Sequence, residues 1–181
     1  MRSHPNIILT GTPGVGKSSH CEQLGRSTGL KHLSINTVAQ ERGCISGKDT
    51  QLNSLIVDED LLLDALENEV PTDGGYLIDW HACDLFPESW IDLVVVLRAS
   101  TEVLYDRLVA RGYKANKVEE NIDAEVMQVL LDEARGAFDE GCVVELQSNG
   151  IEDLDGNVAR IEQWVEKWKK DNAQGIEKYD K

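Results

Sequence analysis

The sequence has no long apolar run. No stretch approaches the roughly 18 consecutive apolar residues of a membrane-spanning helix, so no segment is expected to cross a bilayer. Its first residues, "MRSHPNIILTG", carry too short an apolar run for a secretory leader. Paired cysteines are missing too. The four present (Cys21, Cys44, Cys83, Cys142) show no C-x-x-C spacing, which argues against a disulfide framework or a zinc ribbon. Cys21 and Cys83 have His20 and His81 nearby, but neither pair has a further partner at ligand spacing, so buried, reduced thiols are expected. Basic residues are scarce, 18 Lys and Arg against 33 Asp and Glu, for a net charge of −15. Such a surface repels phosphate backbones and argues against autonomous nucleic-acid binding. It suits either a basic partner or simply well-solvated helix faces. A cytosolic or nuclear location is the expectation.

What remains is an ordinary globular composition, 41% hydrophobic and 28% charged over 181 residues, enough for one domain with a full core. Short, near-continuous apolar runs at 6–10, 31–35, 76–79, 93–97 and 141–146 read as parallel strands covered on both faces. Helical patterns alternate with them. One opens inside a glycine loop and runs to about Thr28, one starts at Asp58 and buries Leu62 and Leu66, and one is capped by Ser100. Ile122, Val126, Val129, Ala134 and Ala137 mark a single long helix, and Leu154 to Trp168 a C-terminal one. The alternation predicts a three-layer α/β fold, a five-stranded parallel sheet with helices on both faces. Residues 36–57 show little regular pattern and read as a mobile insertion, and residues 173–181 as a flexible tail after a single domain over 1–172.

"GTPGVGKS", Gly11 to Ser18, satisfies G-x-x-x-x-G-K-[ST] between an apolar strand and a helix. Each residue type has a physical task. The glycines allow positive φ, so successive backbone N–H groups converge on phosphate oxygens. The helix N-terminus places partial positive charge behind them. Lys17 is expected at the β- and γ-phosphates, and the Ser18 hydroxyl on Mg²⁺. The loop does not by itself choose among kinases, GTPases and motor ATPases. A GTPase is disfavoured, because Asn116-Lys117-Val118-Glu119 has Glu where guanine recognition needs Asp and precedes a helix. Asp153-Leu154-Asp155-Gly156 fits D-x-x-G but comes too late in the chain.

Asp79 ends the apolar run "YLID", where a magnesium-orienting carboxylate belongs, acting through water. It begins the run Asp79-Trp80-His81-Ala82-Cys83-Asp84-Leu85-Phe86-Pro87-Glu88. This run resembles the D-[YW]-H-x-C-[DE]-x-F-P-E signature of the atypical adenylate kinase family, adenylate kinase isoenzyme six or coilin-interacting nuclear ATPase, which includes fungal ribosome-assembly members. "NIILTGTPGVGKSS", "VDED", "VVVLRASTEVLYDRLVARGY", "ENI" and "SN" are similar to family text in the same order, so the resemblance covers about residues 6–170.

The resemblance implies a P-loop kinase core with a nucleotide-monophosphate-binding insertion, here about 34–57, and a short lid, about 110–120. It implies ATP-phosphate contacts from Gly14, Val15, Gly16, Lys17, Ser18 and Ser19, a lid arginine at Arg111, and an adenine-side loop at Ser148 and Asn149. His81 is implied in ATP turnover, orienting water or the magnesium shell or coupling the site to a partner. The implied activities are adenylate kinase and ATPase, with Mg²⁺ and ATP. The implied partner is a basic small-subunit ribosomal protein of the platform, universal family eleven, on the pre-ribosome in nucleus and cytoplasm.

Two positions depart from the family pattern. Gln40 stands where the family reads L-A-R-[ED], and Ser89 where it reads F-P-E-R. Neither replaces the planar fork with which arginine grips a phosphate. Arg42 and Arg98 are the candidates to substitute in the acceptor site. If they do not, an ATPase assembly factor with weak AMP kinase activity becomes the reading to prefer. A non-nucleotide small-molecule P-loop kinase ranks below both, because such kinases lack the D-W-H-A-C-D run.

Overall fold

The computed structural model describes residues 2–176. The chain runs β1 (Ile7–Thr10), α1 (Lys17–Thr28), β2 (Lys31–Ser34), α2 (Ile35–Glu41), β3 (Ile45–Asp49), β4 (Ser54–Val57), α3 (Glu59–Leu66), α4 (Val70–Asp73) and β5 (Tyr76–Asp79). It continues through β6 (Leu93–Arg98), α5 (Thr101–Ala110), α6 (Ala115–Val126), α7 (Val129–Ala137), β7 (Val143–Gln147) and α8 (Ile151–Ile176). Five strands form one parallel sheet in the order β2-β5-β1-β6-β7. The chain crosses from one side of β1 to the other, and such a switch point leaves a crevice at the carboxyl ends of the strands.

Strand alternation divides the core in two. Ile8, Ile78, Val94 and Val96 face one way and pack with Val38, Leu62, Leu66, Leu131 and Ala134. Ile7, Leu9, Leu77, Val95 and Leu97 face the other way, toward Cys21, Leu24, Leu104, Leu108, Ile161 and Val165. Helices therefore cover both faces, as the continuous apolar strands require. The expected cap at Ser100 is present, and Asp58, expected at the start of its helix, caps it as well. The Asp58 side chain accepts from the Leu61 N–H at α3 and the Ser100 hydroxyl from the Val103 N–H at α5.

Two expectations are corrected. Residues 36–57 are ordered into α2 and an antiparallel hairpin of β3 and β4. The hairpin is held at its turn by Asp49 Oδ1, which accepts from the N–H groups of Gln51 and Leu52. The single long helix is two helices, α6 and α7, meeting at an elbow where Gln128 takes φ 57°. The reason lies in the core. Val118 and Ile122 pack on one face of the sheet, Leu131 and Ala134 on the other, and no straight helix serves both. The last helix continues to Ile176, past the expected boundary at 172, and the rest of the expected tail lies outside the described residues.

Candidate functional site

The loop after β1 is built around glycines that no other residue replaces. A Cβ on Gly11, at φ 143°, would stand 2.6 Å from the Leu97 carbonyl oxygen. Gly16 is left-handed, at φ 101°, and turns the chain into α1, whose first N–H groups lack intrahelical partners. Lys17 folds back over the loop, its Nζ donating to the carbonyls of Gly11 at 2.7 Å and Thr12 at 3.3 Å. Burial pulls its pKa from 10.5 to about 8; the Asp79 charge opposes that shift and Arg111 adds to it. An ammonium held this way is only partly buried but has two carbonyls in place of part of its water shell, and it is ready for phosphate oxygens. Val15 is buried beneath the loop, while Ser18 and Ser19 are exposed on the first turn of α1.

Asp79, at the end of β5, is buried, and the Ser18 hydroxyl donates to its Oδ2 at 2.7 Å. His32 Nε2 lies 3.0 Å from the same oxygen. Burial works against the Asp79 charge, but hydrogen bonds from His32 and Ser18 and the charge of Lys17 outweigh it, holding the carboxyl below its usual range. This hydroxyl and carboxylate are hard oxygen donors, the type Mg²⁺ selects, so the pair fits the expected ion.

The loop opens onto a cleft of about 610 Å³. Gly14, Gly16, Lys17 and Ser18 line its floor with Asp79, Trp80 and His81. Asn36 and Gln40 of α2, with Leu52, Ser54 and Leu55 of the hairpin, form one wall. Arg111, Tyr113, Lys117 and Glu120 line the cleft from the expected lid region. That region spans the end of α5, a left-handed Gly112 and the first turns of α6, and Lys117 Nζ lies 4.1 Å from the Tyr113 ring centre. Asn116 Nδ2 donates to the Gln51 carbonyl, so lid and hairpin already touch. The His81 carbonyl is held by the Thr10 hydroxyl, and its imidazole stands in a T-shaped contact with Trp80. The surrounding protein and then the Lys17 charge lower its pKa, with Asp84 opposing them.

Other expected residues lie elsewhere. Ser148 and Asn149 sit behind the loop. The Ser148 hydroxyl donates to the Val15 carbonyl, and Asn149 Oδ1 accepts from the Ser100 N–H. Neither acceptor-site candidate lines the cleft, which corrects their expected placement. Arg42 donates to the Ala65 carbonyl and pairs with Glu69. Arg98 pairs with buried Glu125 at 2.7 Å and with Glu145 at 3.2 Å. Of the two departures from the family pattern, only Gln40 faces the cleft; the Ser89 carbonyl accepts from Arg2 instead.

Three residues missed in the sequence support the site. Glu125 accepts from the Thr12 hydroxyl, Arg98 and the Ala99 N–H, tying α6 to the phosphate loop. Arg107 donates to the carbonyls of Gly14 and Ser148. His32 reaches Asp79 from the edge strand. Each arrives from a distant part of the chain, so no local motif announces it. His20, by contrast, is structural: its Nδ1 bonds the Gly16 carbonyl and its Nε2 meets the Asn157 amide, a pattern that fits the neutral Nδ1–H tautomer.

A family model described as an AAA domain matches residues 7–128. Among solved structures, a shikimate kinase from Bacteroides thetaiotaomicron is similar with a TM-score of 0.56 at 14% identity, over 90% of this chain and 98% of that one, a likeness of fold. A Candida albicans protein named adenylate kinase isoenzyme 6 homolog HBR1 is 48% identical, over 97% of this chain and 74% of its own length. A Schizosaccharomyces pombe protein named adenylate kinase isoenzyme 6 homolog is 47% identical, over 94% of this chain and 97% of its own. With a phosphate cradle, a magnesium-type oxygen pair and relatives this similar over most of its length, the chain belongs to the adenylate kinase isoenzyme 6 family.

Proposed function

We propose that this chain is a Mg·ATP-dependent adenylate kinase with ATPase activity. Its proposed role is in small ribosomal subunit maturation, in nucleus and cytoplasm, through ATP-gated binding to a basic platform ribosomal protein of universal family eleven. The observation that carries the enzymatic reading is the loop at Gly11–Ser18, with its Ser18–Asp79 pair, opening onto a cleft walled by α2 and the hairpin. The phosphate loop takes the donor nucleotide, leaving that wall for the acceptor. Lys17 and Arg111 supply positive charge to the transferring phosphoryl group, and no covalent enzyme intermediate is required. Ser18 and Asp79 are the residues that would hold Mg²⁺, which when bound would supply positive charge against the phosphates. The ribosomal part rests on the family resemblance and is compatible with the net charge of −15.

A specific observation favours a second balance of activities, ATPase first and AMP kinase second. The acceptor wall presents the neutral amides of Asn36 and Gln40, with Arg42 and Arg98 engaged elsewhere. Product analysis with Mg·ATP, with and without AMP, separates the two. ADP from both substrates marks the kinase, and ADP plus free phosphate without AMP marks the ATPase. The wild type is expected to do both, with a high AMP requirement. Gln40→Arg is expected to lower the AMP KM about tenfold, the effect of one charged hydrogen bond. Tight, saturating AMP dependence in the wild type contradicts the acceptor reading, and no phosphorylation of AMP at any concentration overturns the kinase reading. Repeating the assay with the platform protein tests the assembly role, whose binding should weaken with added salt.

His81 allows a narrower prediction. It lines the floor beside Lys17 but makes no contact that builds the phosphate loop. His81→Ala is expected to lower ATP turnover about 10²-fold, the lower range for a positioned proton-handling group, with ATP affinity nearly unchanged. Equilibrium nucleotide binding measured beside steady-state turnover checks this; unchanged turnover removes His81 from the mechanism.

A further inference from the structure

Asp79 belongs to two neighbourhoods. One is the cleft. The other lies where α1 covers the edge of the sheet, and it brings together three unlike donors. Cys21 stands three positions after Ser18 on α1, His32 lies on β2, and Asp79 ends β5. One ligand atom from each, a thiol sulfur, an imidazole nitrogen and a carboxylate oxygen, lies within 4.8 Å of the other two. The register explains the meeting. His32 pairs with Leu77 and Ser34 with Asp79, so His32 and Asp79 stand two steps apart on adjacent strands and project to the same face.

We propose that Cys21, His32 and Asp79 form a binding site for a thiophilic divalent cation of the zinc class, and that filling it withdraws Asp79 from the nucleotide site. The donor set makes the chemical choice. Zinc takes sulfur, nitrogen and oxygen in a tetrahedron, with three protein ligands and one open position. Mg²⁺ demands oxygen donors in an octahedron and discriminates against the thiol and the imidazole. Entry is from the edge. β2 has a neighbouring strand on one side only, and the His32 side chain is 31% exposed while Cys21 is fully buried. The open coordination position therefore falls on the His32 side, where water reaches it.

Loading balances in protons and bonds. The Cys21 S–H bond breaks, sulfur gives its electron pair to the metal, and one proton leaves to solvent. His32 starts with its proton on Nε2, which donates to Asp79 Oδ2. That proton passes to solvent and another is taken up at Nδ1, so the freed Nε2 lone pair exchanges its contact with Asp79 for the metal. The net loss stays at the one proton from Cys21. Asp79 then serves the second metal instead of orienting the water shell of Mg²⁺. The binding claim stands on this cluster alone; the inhibition that follows rests on the kinase reading above.

The test titrates the nucleotide-free full chain with Zn²⁺, beside Cys21→Ala and His32→Gln, and uses Cd²⁺ to report a metal–thiolate bond. The expected result is one ion per wild-type chain, bound about tenfold or more weakly by either variant. An ultraviolet sulfur-to-cadmium charge-transfer band should appear in the wild type and vanish with Cys21→Ala. Equal Zn²⁺ affinity in all three proteins, or no such band, overturns the site and assigns the ion to surface carboxylates. His32→Gln, on the partly exposed edge, keeps the test decisive should Cys21→Ala fail to fold. In Mg·ATP turnover, Zn²⁺ should raise the Mg²⁺ requirement of the wild type about tenfold more than that of either variant. Zn²⁺ binding without this effect overturns the link to Asp79 and leaves the kinase reading untouched.

Discussion

Replacing Lys17 with alanine is expected to lower ATP-dependent turnover by about 10²–10³-fold, the range for losing a preorganised charge at a developing anion. The side chain is already aimed, because the carbonyls of Gly11 and Thr12 hold its ammonium over the loop where phosphates dock. It is also poorly solvated, with a pKa near 8. Two consequences separate this lysine from one that merely packs. First, phosphate binding favours the charged form. ATP affinity in the wild type should therefore fall as pH rises through about 8, and the alanine variant should lack that limb. Second, the empty protein bears a desolvated charge. Lys17 binds its proton less tightly in the folded chain than in the unfolded one, where the value is 10.5. Its contribution to folding is therefore least favourable below about pH 8 and improves between 8 and 10.5, where the unfolded chain holds more protons. Lys17→Ala should then unfold at no lower urea concentration than the wild type at pH 7, although its activity is lost. A variant that is inactive and also markedly less stable would show the lysine to be holding the loop together instead.

The elements most legible in the sequence were those whose cause is local. The phosphate loop is contiguous, and each glycine answers a backbone demand within a few residues. Asp79 was legible because a buried parallel strand ends there, at the edge of the crevice. The helix start at Asp58 and the cap at Ser100 were legible because both are settled within one turn. What failed was non-local. The α6–α7 elbow exists because the chain passes from one face of the sheet to the other, and the spacing of Ile122, Val126 and Val129 does not record that. The hairpin over Ile45–Val57 has only short, half-exposed strands, so its alternation is weak. Arg42 and Arg98 were misplaced for a related reason. A sequence shows a positive charge but not its partner, and a chain with 33 acidic residues supplies partners freely, here Glu69, Glu125 and Glu145. Cys21 was expected to be a packed thiol, and it is fully buried; His32 and Asp79 beside it come from strands that sequence spacing does not connect.

Glu125 should show the largest stability effect in the molecule. Its carboxylate is 5% exposed and accepts from the Thr12 hydroxyl at 2.6 Å, Arg98 Nε at 2.7 Å and the Ala99 N–H at 3.1 Å. Arg98 also donates to the Glu125 backbone carbonyl. Glu125→Ala leaves a largely buried guanidinium with only Glu145 for its charge, and strips partners from a hydroxyl and an amide. Breaking a buried pair from one side costs about 3–5 kcal/mol, and urea unfolding should show a loss in that range. The cost falls mainly on the charge left behind. Replacing both partners, as Arg98→Met with Glu125→Leu, should therefore recover a large part of it, because apolar packing often matches a buried ion pair. Function should not recover with it. Thr12 belongs to the phosphate loop, and its carbonyl also accepts from Lys17, so losing the carboxylate loosens the loop from α6 in both variants. Restored stability with weakened ATP binding would show Glu125 positioning the loop; restoration of both would show it to be an ion pair of the core and nothing more.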